Sequence, residues 1–258
     1  YIVTGTGFAT HDFHWISSHI PEGLDARLID VTSSYGTLAL MGPKARDVLQ
    51  ATAQGDLSNK AFPFGTAKEI MVAGVPVRAL RVTYVGELGW ELHIPTDGIG
   101  AVYDALMAAG QPHGIVNAGY RAIESLRLEK FYRAWSSDIS PDHSPLEAGM
   151  AWAVKLKKNT PFLGREALVA QAAKRLPKLL ACFTVDDQSV VLLGRETIFR
   201  NGKQVGWLSS GGYGYTLGTN IGIGYVRDKE SGVSAEDVMS GTYELEIACK
   251  RYPAKVSL

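Results

Sequence analysis

The residues best suited to chemistry lie in Thr83-Tyr84-Val85-Gly86-Glu87-Leu88-Gly89-Trp90-Glu91-Leu92, where a phenol and two carboxylates are interleaved with glycines. The glycines have a plain role as turn residues between two strands. Glu87 falls in that turn, where water solvates it. Glu91 instead falls inside the next strand, with Trp90 and Leu92 on the opposite face by two-residue alternation. Alternation alone also allows Glu91 to be an outward, solvated residue. If it points inward, a buried carboxylate needs donors, and a ligand offering two parallel N–H groups satisfies it bidentately. The amide-like edge of a pterin offers that pair.

A second group runs from Asn117-Ala118-Gly119-Tyr120-Arg121 through Lys130 and on to Trp135, Asp138 and Ser144-Pro145-Leu146-Glu147-Ala148-Gly149. Its spacing predicts a helix over Arg121 to Phe131, with Ile123, Leu126 and Leu128 facing inward and Glu124, Arg127 and Lys130 facing water. Arg121 in the first turn opposes the helix dipole, so a carboxylate in the protein or in a ligand is its natural partner.

Other candidates carry less. His11, His14 and His19 give a His-x-x-His step without the glutamate and third ligand of a metalloprotease site, which favours a solvent-facing helix. Gly5-Thr6-Gly7 and Gly211-Gly212-Tyr213-Gly214 lack the strand, fingerprint and helix order of a dinucleotide site and read as ordinary turns. Cys182 and Cys249 lie in apolar, strand-like contexts without metal-ligand spacing and read as free thiols.

These groups must be held by a folded chain. It has 258 residues, 46% hydrophobic and 20% charged, enough to bury a core in one large or two modest domains. Lys+Arg and Asp+Glu both number 26, so no net positive field gathers nucleic acid or an anionic membrane. Apolar runs such as Met150 to Val154 are far shorter than the ~20 residues of a membrane-spanning helix.

The periodicity predicts a strand already under way at Tyr1 to Thr4, which suggests a piece of a longer chain, and an amphipathic helix around His11 to Ile16. Strands are predicted at Leu28 to Val31 and Thr37 to Met41, then a helix from Gly42-Pro43 through Leu49. Strands follow at Glu69 to Val72, Val75 to Val82 and Trp90 to Ile94, a helix at Ala101 to Ala109, and a short strand at Ile115-Val116. This rhythm indicates an α+β class with ferredoxin-like split βαβ layers. After a short helix ending at Lys174, strands at Leu179 to Thr184, Glu196 to Phe199, Gln204 to Leu208, Ile221 to Val226 and Tyr243 to Ile247 indicate a small C-terminal β-barrel. The expected domains are therefore 1–174 and 175–258.

The motifs together resemble the folate-binding aminomethyltransferase family of the glycine-cleavage T-protein. The match runs in order through Gly42-Pro43-Lys44-Ala45, Tyr84 to Glu91, Ala118-Gly119 with Arg127-Leu128-Glu129, Pro145-x-Glu147-x-Gly149, Trp152-x-Val154-Lys155-Leu156 and Phe162 to Leu168. Within the family, Val85 to Pro95, Asn117 to Ala122 and Asp142 to Gly149 are most similar to the C-terminal folate domain of the sarcosine dehydrogenase type, with the dimethylglycine dehydrogenase type next.

The resemblance implies tetrahydrofolate as cofactor and FAD in a separate upstream oxidase domain. It implies sarcosine or dimethylglycine as the small-molecule substrate, and a mitochondrial matrix or bacterial cytoplasmic setting. Glu91 matches the glutamate that holds the pterin and Tyr84 a tyrosine of the same pocket, while Trp135 matches an aromatic near it. The helix arginine of the T-proteins falls on Ile123, and the sarcosine-type pattern offers Arg121 instead. The family's catalytic aspartate lies upstream of Tyr1, so the first sheet is expected to lack strands. A stand-alone aminomethyltransferase, or a non-catalytic regulator like the regulatory subunit of pyruvate dehydrogenase phosphatase, stays open beside this reading.

Overall fold

Alternating apolar residues between Tyr35 and Pro95 build one antiparallel sheet, seen in a computed structural model that describes residues 1–258. Its strands are β1 (Tyr35–Met41), β2 (Ala67–Val72), β3 (Val75–Leu80) and β4 (Gly89–Pro95), in the order β1-β4-β3-β2. Helices α2 (Ala45–Thr52) and α3 (Ile99–Gly110) cover one face. There Val48 and Leu49 of α2 and Val102 and Leu106 of α3 pack with Leu40, Val77, Trp90, Leu92 and Ile94 in one core. The other face takes the alternate residues of each strand, Glu91 and His93 among them.

The chain divides into two compact units, the first Tyr1–Thr83 with Glu87–Val116 and the second Tyr84–Gly86 with Asn117–Leu258. Helix α1 (Ala9–Ser18) belongs to the first unit and buries no residue, its His11 and His14 exposed, as is His19 at its C-terminal cap. Tyr1 to Thr4, Leu28 to Val31 and Ile115-Val116, expected as strands, form none. Each has β-favouring residues but pairs with no strand, and pairing rather than propensity makes a strand.

The second unit opens with α4 (Tyr120–Glu129), continues through α5 (Arg165–Ala172), and ends in a closed antiparallel barrel. The barrel strands are β5 (Lys178–Val185), β6 (Thr197–Arg200), β7 (Lys203–Gly214), β8 (Thr219–Arg227), β9 (Tyr243–Ile247) and β10 (Lys250–Ser257), in the order β10-β5-β8-β7-β6-β9. Short α6 (Ala235–Met239) starts on a capping box between Ser234 and Asp237.

Three expectations need correction here. Gly211 to Gly214 are not a turn but the end of β7, and a Cβ on Gly211 would sit 2.7 Å from the Gly194 nitrogen, so close backbone approach explains the glycine. Cys249 is exposed in the turn between β9 and β10, whereas Cys182 is buried in β5; both are free. Arg127, expected to face water, is 1% exposed. Its guanidinium donates to Asp138 Oδ2 at 2.6 Å, to Ser210 Oγ at 2.7 Å, to the Tyr132 carbonyl and to Glu124, so its charge is neutralised inside the unit.

Candidate functional site

The Tyr-x-Gly-Glu-x-Gly-x-Glu segment owes its glycines to two backbone needs. Gly86 has φ +74, in the left-handed region, and a Cβ there would strike the Lys130 side chain. Gly89 begins β4, where a Cβ would lie 2.6 Å from the Leu40 carbonyl oxygen, so only glycine lets β4 close against β1. The connection from β3 to β4 runs over residues 81–88, longer than the tight turn expected, and its residues Tyr84–Gly86 belong to the second unit.

Glu91 lies opposite Ala39 of β1 and Leu80 of β3. Trp90, Leu92 and Ile94 point to the helices and are fully buried, which sets Glu91 and His93 together on the other face. The Glu91 side chain keeps 29% exposure, and its Oε2 lies 3.9 Å from His93 Nε2. No group of the chain donates a hydrogen bond to it, so an acceptor pair is presented at the sheet surface.

His93 belongs to no sequence motif that marks it as functional, yet it shares the face of Glu91. Its side chain is 6% exposed, and Nδ1 lies 3.2 Å from the Tyr1 hydroxyl and 3.4 Å from the Thr37 hydroxyl. Nε2 has no hydrogen-bond partner although it is buried. Burial lowers the imidazole pKa, against the opposing effect of Glu91, with Arg78 adding to the lowering. The signal was present in the strand: two residues beyond Glu91 is the same face.

The other three candidates fall in the second unit. Tyr84 donates from its hydroxyl to the Arg133 carbonyl at 2.9 Å and stacks on Tyr132 at 5.9 Å, and burial raises its phenol pKa. Trp135, half exposed, lies two residues beyond Arg133 and bridges to Ile139. It lines a cavity of about 310 Å³ with Ile139, His143, Pro145, Met150 and Val154. Asp138 closes the loop that carries Trp135, accepting from Ala134 N at 2.9 Å while Asp138 N donates to the Ala134 carbonyl. Tyr84 and Trp135 are thus tied to one loop. Arg121 stands apart, exposed in the first turn of α4 with no carboxylate partner in the chain. No cluster of His, Cys, Asp and Glu could hold a metal ion.

Comparison with known proteins decides the family. Residues 1–158 match the GCVT N-terminal domain and residues 178–258 the glycine cleavage T-protein C-terminal barrel domain. The chain belongs to the glycine-cleavage T-protein family. Among T-protein relatives, mitochondrial sarcosine dehydrogenase of Mus musculus is 46% identical over 100% of this chain and 28% of its own length. Mitochondrial dimethylglycine dehydrogenase of Homo sapiens is 40% identical over 99% of this chain and 29% of its own. The chain therefore spans little more than a quarter of these relatives. The crystal structure of glycine cleavage system aminomethyltransferase T from Bartonella henselae superposes with a TM-score of 0.81 at 25% identity, covering 98% of this chain and 66% of that one. The T-protein fold is present as the α+β unit and closed barrel described above.

Proposed function

We propose that this chain is the tetrahydrofolate-binding portion of a longer flavoenzyme of the sarcosine dehydrogenase type, with FAD in an upstream oxidase domain. Bound tetrahydrofolate would supply the nucleophilic nitrogens that take up the methylene carbon of an oxidised N-methyl amine, sarcosine or dimethylglycine, giving 5,10-methylenetetrahydrofolate.

One observation carries the reading. The Glu91 carboxylate stands on a sheet face with both oxygens free of protein donors, beside a buried histidine. An acceptor-only group with four lone-pair sites matches the paired N–H edge of a pterin. Tyr84 supports the reading as an aromatic side chain already oriented by its bond to the Arg133 carbonyl. Trp135 supports it as a half-exposed indole on an apolar cavity. Glu91 would work by placing a reduced nitrogen near an incoming carbon, a proximity effect. No residue of this chain is assigned as the general acid or base. The identity of the two mitochondrial dehydrogenases over nearly the whole chain supports the same substrate class and compartment.

The test is a titration of reduced folate into the whole polypeptide and its Glu91→Ala variant. Removing two charge-assisted hydrogen bonds together should weaken binding by about 2–4 kcal/mol. Near-normal affinity in the variant would sink the assignment. An intact mass under denaturing conditions several-fold above 27.9 kDa is expected for the parent polypeptide.

A further inference from the structure

The face of the first unit that bears Glu91 carries more than one polar group. Thr37 of β1 and Arg78 of β3 both stand opposite His93, one on either side of β4. Tyr1 covers the group from the N-terminal segment, its ring 5.5 Å from the His93 ring and 5.9 Å from Tyr35. Arg78 lies 4.2 Å over the Tyr1 ring and pairs with Glu69 of β2 at 2.9 Å. Arg78 is therefore already neutralised, and Glu91 is left as the carboxylate facing His93.

Within this group the two imidazole nitrogens differ. Nδ1 faces two hydroxyls, each able to donate or accept. Nε2 faces only a carboxylate oxygen, which can only accept. The proton of the neutral ring therefore belongs on Nε2, and the single lone pair of Nδ1 takes a hydroxyl proton, Tyr1 being the nearer donor. A buried N–H without an acceptor is costly, and the Glu91 oxygen at 3.9 Å lies just beyond hydrogen-bonding reach.

We propose that His93 is a positioning residue for Glu91, its Nε2–H closing on Oε2 to fix the carboxylate plane against a ligand that presents two parallel N–H donors. The proposal rests on the reading of Glu91 as the pterin-holding residue. The ring is held from its Nδ1 side and buried, while the carboxylate is partly exposed, so the carboxylate is the partner that moves. Each carboxylate oxygen has two lone-pair sites, so the bond from His93 leaves the ligand-facing edge available. A carboxylate fixed in one rotamer loses less freedom on binding.

The experiment is a double-mutant cycle in the whole polypeptide, read as the dissociation constant for 5-formyltetrahydrofolate, a stable reduced folate. His93→Asn, too short to reach Glu91, should weaken binding about ten-fold, and His93→Gln, whose amide can donate from near the Nε2 position, should restore most of it. In a Glu91→Gln background, His93→Asn should have no further effect, because its action passes through the carboxylate. Equal losses in His93→Asn and His93→Gln, or losses that add to that of Glu91→Gln, would overturn the proposal. Unchanged binding in Glu91→Gln alone would instead remove the pterin reading itself. Thermal midpoints of all variants separate a folding defect from a binding one, and His93→Leu, which keeps the ring's volume, replaces His93→Asn if that variant unfolds.

Discussion

Arg127 Nη1 and Asp138 Oδ2 are 2.6 Å apart with both side chains at or below 1% exposure, so α4 and the Trp135 loop are joined by a fully buried ion pair. Asp138 also accepts from the Ser209 and Ser210 hydroxyls of β7, and its carbonyl accepts from the Tyr225 hydroxyl of β8. One carboxylate thus fastens helix, loop and barrel.

Removing one member of such a pair leaves the other buried and uncompensated. Asp138→Ala should cost about 3–5 kcal/mol of stability in urea unfolding, whereas replacing Arg127 and Asp138 together by Met and Leu should cost clearly less than the sum of the single changes. Additive losses would show that the charges act separately.

Trp90 is fully buried with an unsatisfied indole N–H, edge-on to Phe62 at 6.1 Å. Trp90→Phe keeps most of the apolar volume and discards the orphan donor, so its cost should stay below about 1.5 kcal/mol, against about 3–5 kcal/mol for Trp90→Ala. Thermal or urea unfolding of the two variants measures the difference.

His143 is stacked on Tyr225 at 4.6 Å, and its Nδ1 accepts from Ser140 N at 3.1 Å, a backbone donor that cannot reverse its role. Burial lowers its pKa, with Lys178 contributing. The unfolded chain therefore takes up this proton first. Stability from His143 is complete above its unfolded pKa of about 6.5 and is lost as pH falls toward the lower folded value. His93, lowered mainly by burial, acts in the same direction. Unfolding midpoints should fall below about pH 6.5, and His143→Asn should flatten that slope.

Burial pushes the Cys182 thiol up to about 11. Alkylation of the native protein at pH 8 followed by peptide mass mapping should label exposed Cys249 and spare Cys182 until denaturant is added. Rapid double labelling would show that β5 opens locally.

Arg121, exposed and unpaired on α4, offers a clean discrimination. Arg121→Ala should change stability by no more than about 0.5 kcal/mol. Unchanged reduced-folate affinity in the same variant would remove Arg121 from the binding residues.

Much of the sheet and barrel was legible because their strands alternate visibly, Trp90-Glu91-Leu92 being the clearest case. Strand β10 was not: Tyr252, Ala254 and Val256 alternate and pack on the barrel core, but all three stay partly exposed and Pro253 with the flanking charged residues masks the pattern. The sequence pattern puts Arg127 in water because a charge on a helix normally faces it. Its partners Asp138 and Ser210 are distant in sequence, and only the folded chain assembles them. Glu91 stands out by its place inside a strand between Trp90 and Leu92, and Tyr84 only by motif likeness. His93 needed a different step, the recognition that a strand residue two places from a carboxylate shares its face.

Strand β10 pairs with β9 along one side and with β5 along the other. Until residues 250–257 are made and paired, the barrel therefore holds two raw strand edges, and a stop codon before Lys250 would leave them open permanently. Such edges invite pairing with other chains. Strand β10 is thus a latch on the barrel whose loss should surface first as poor solubility in the cell.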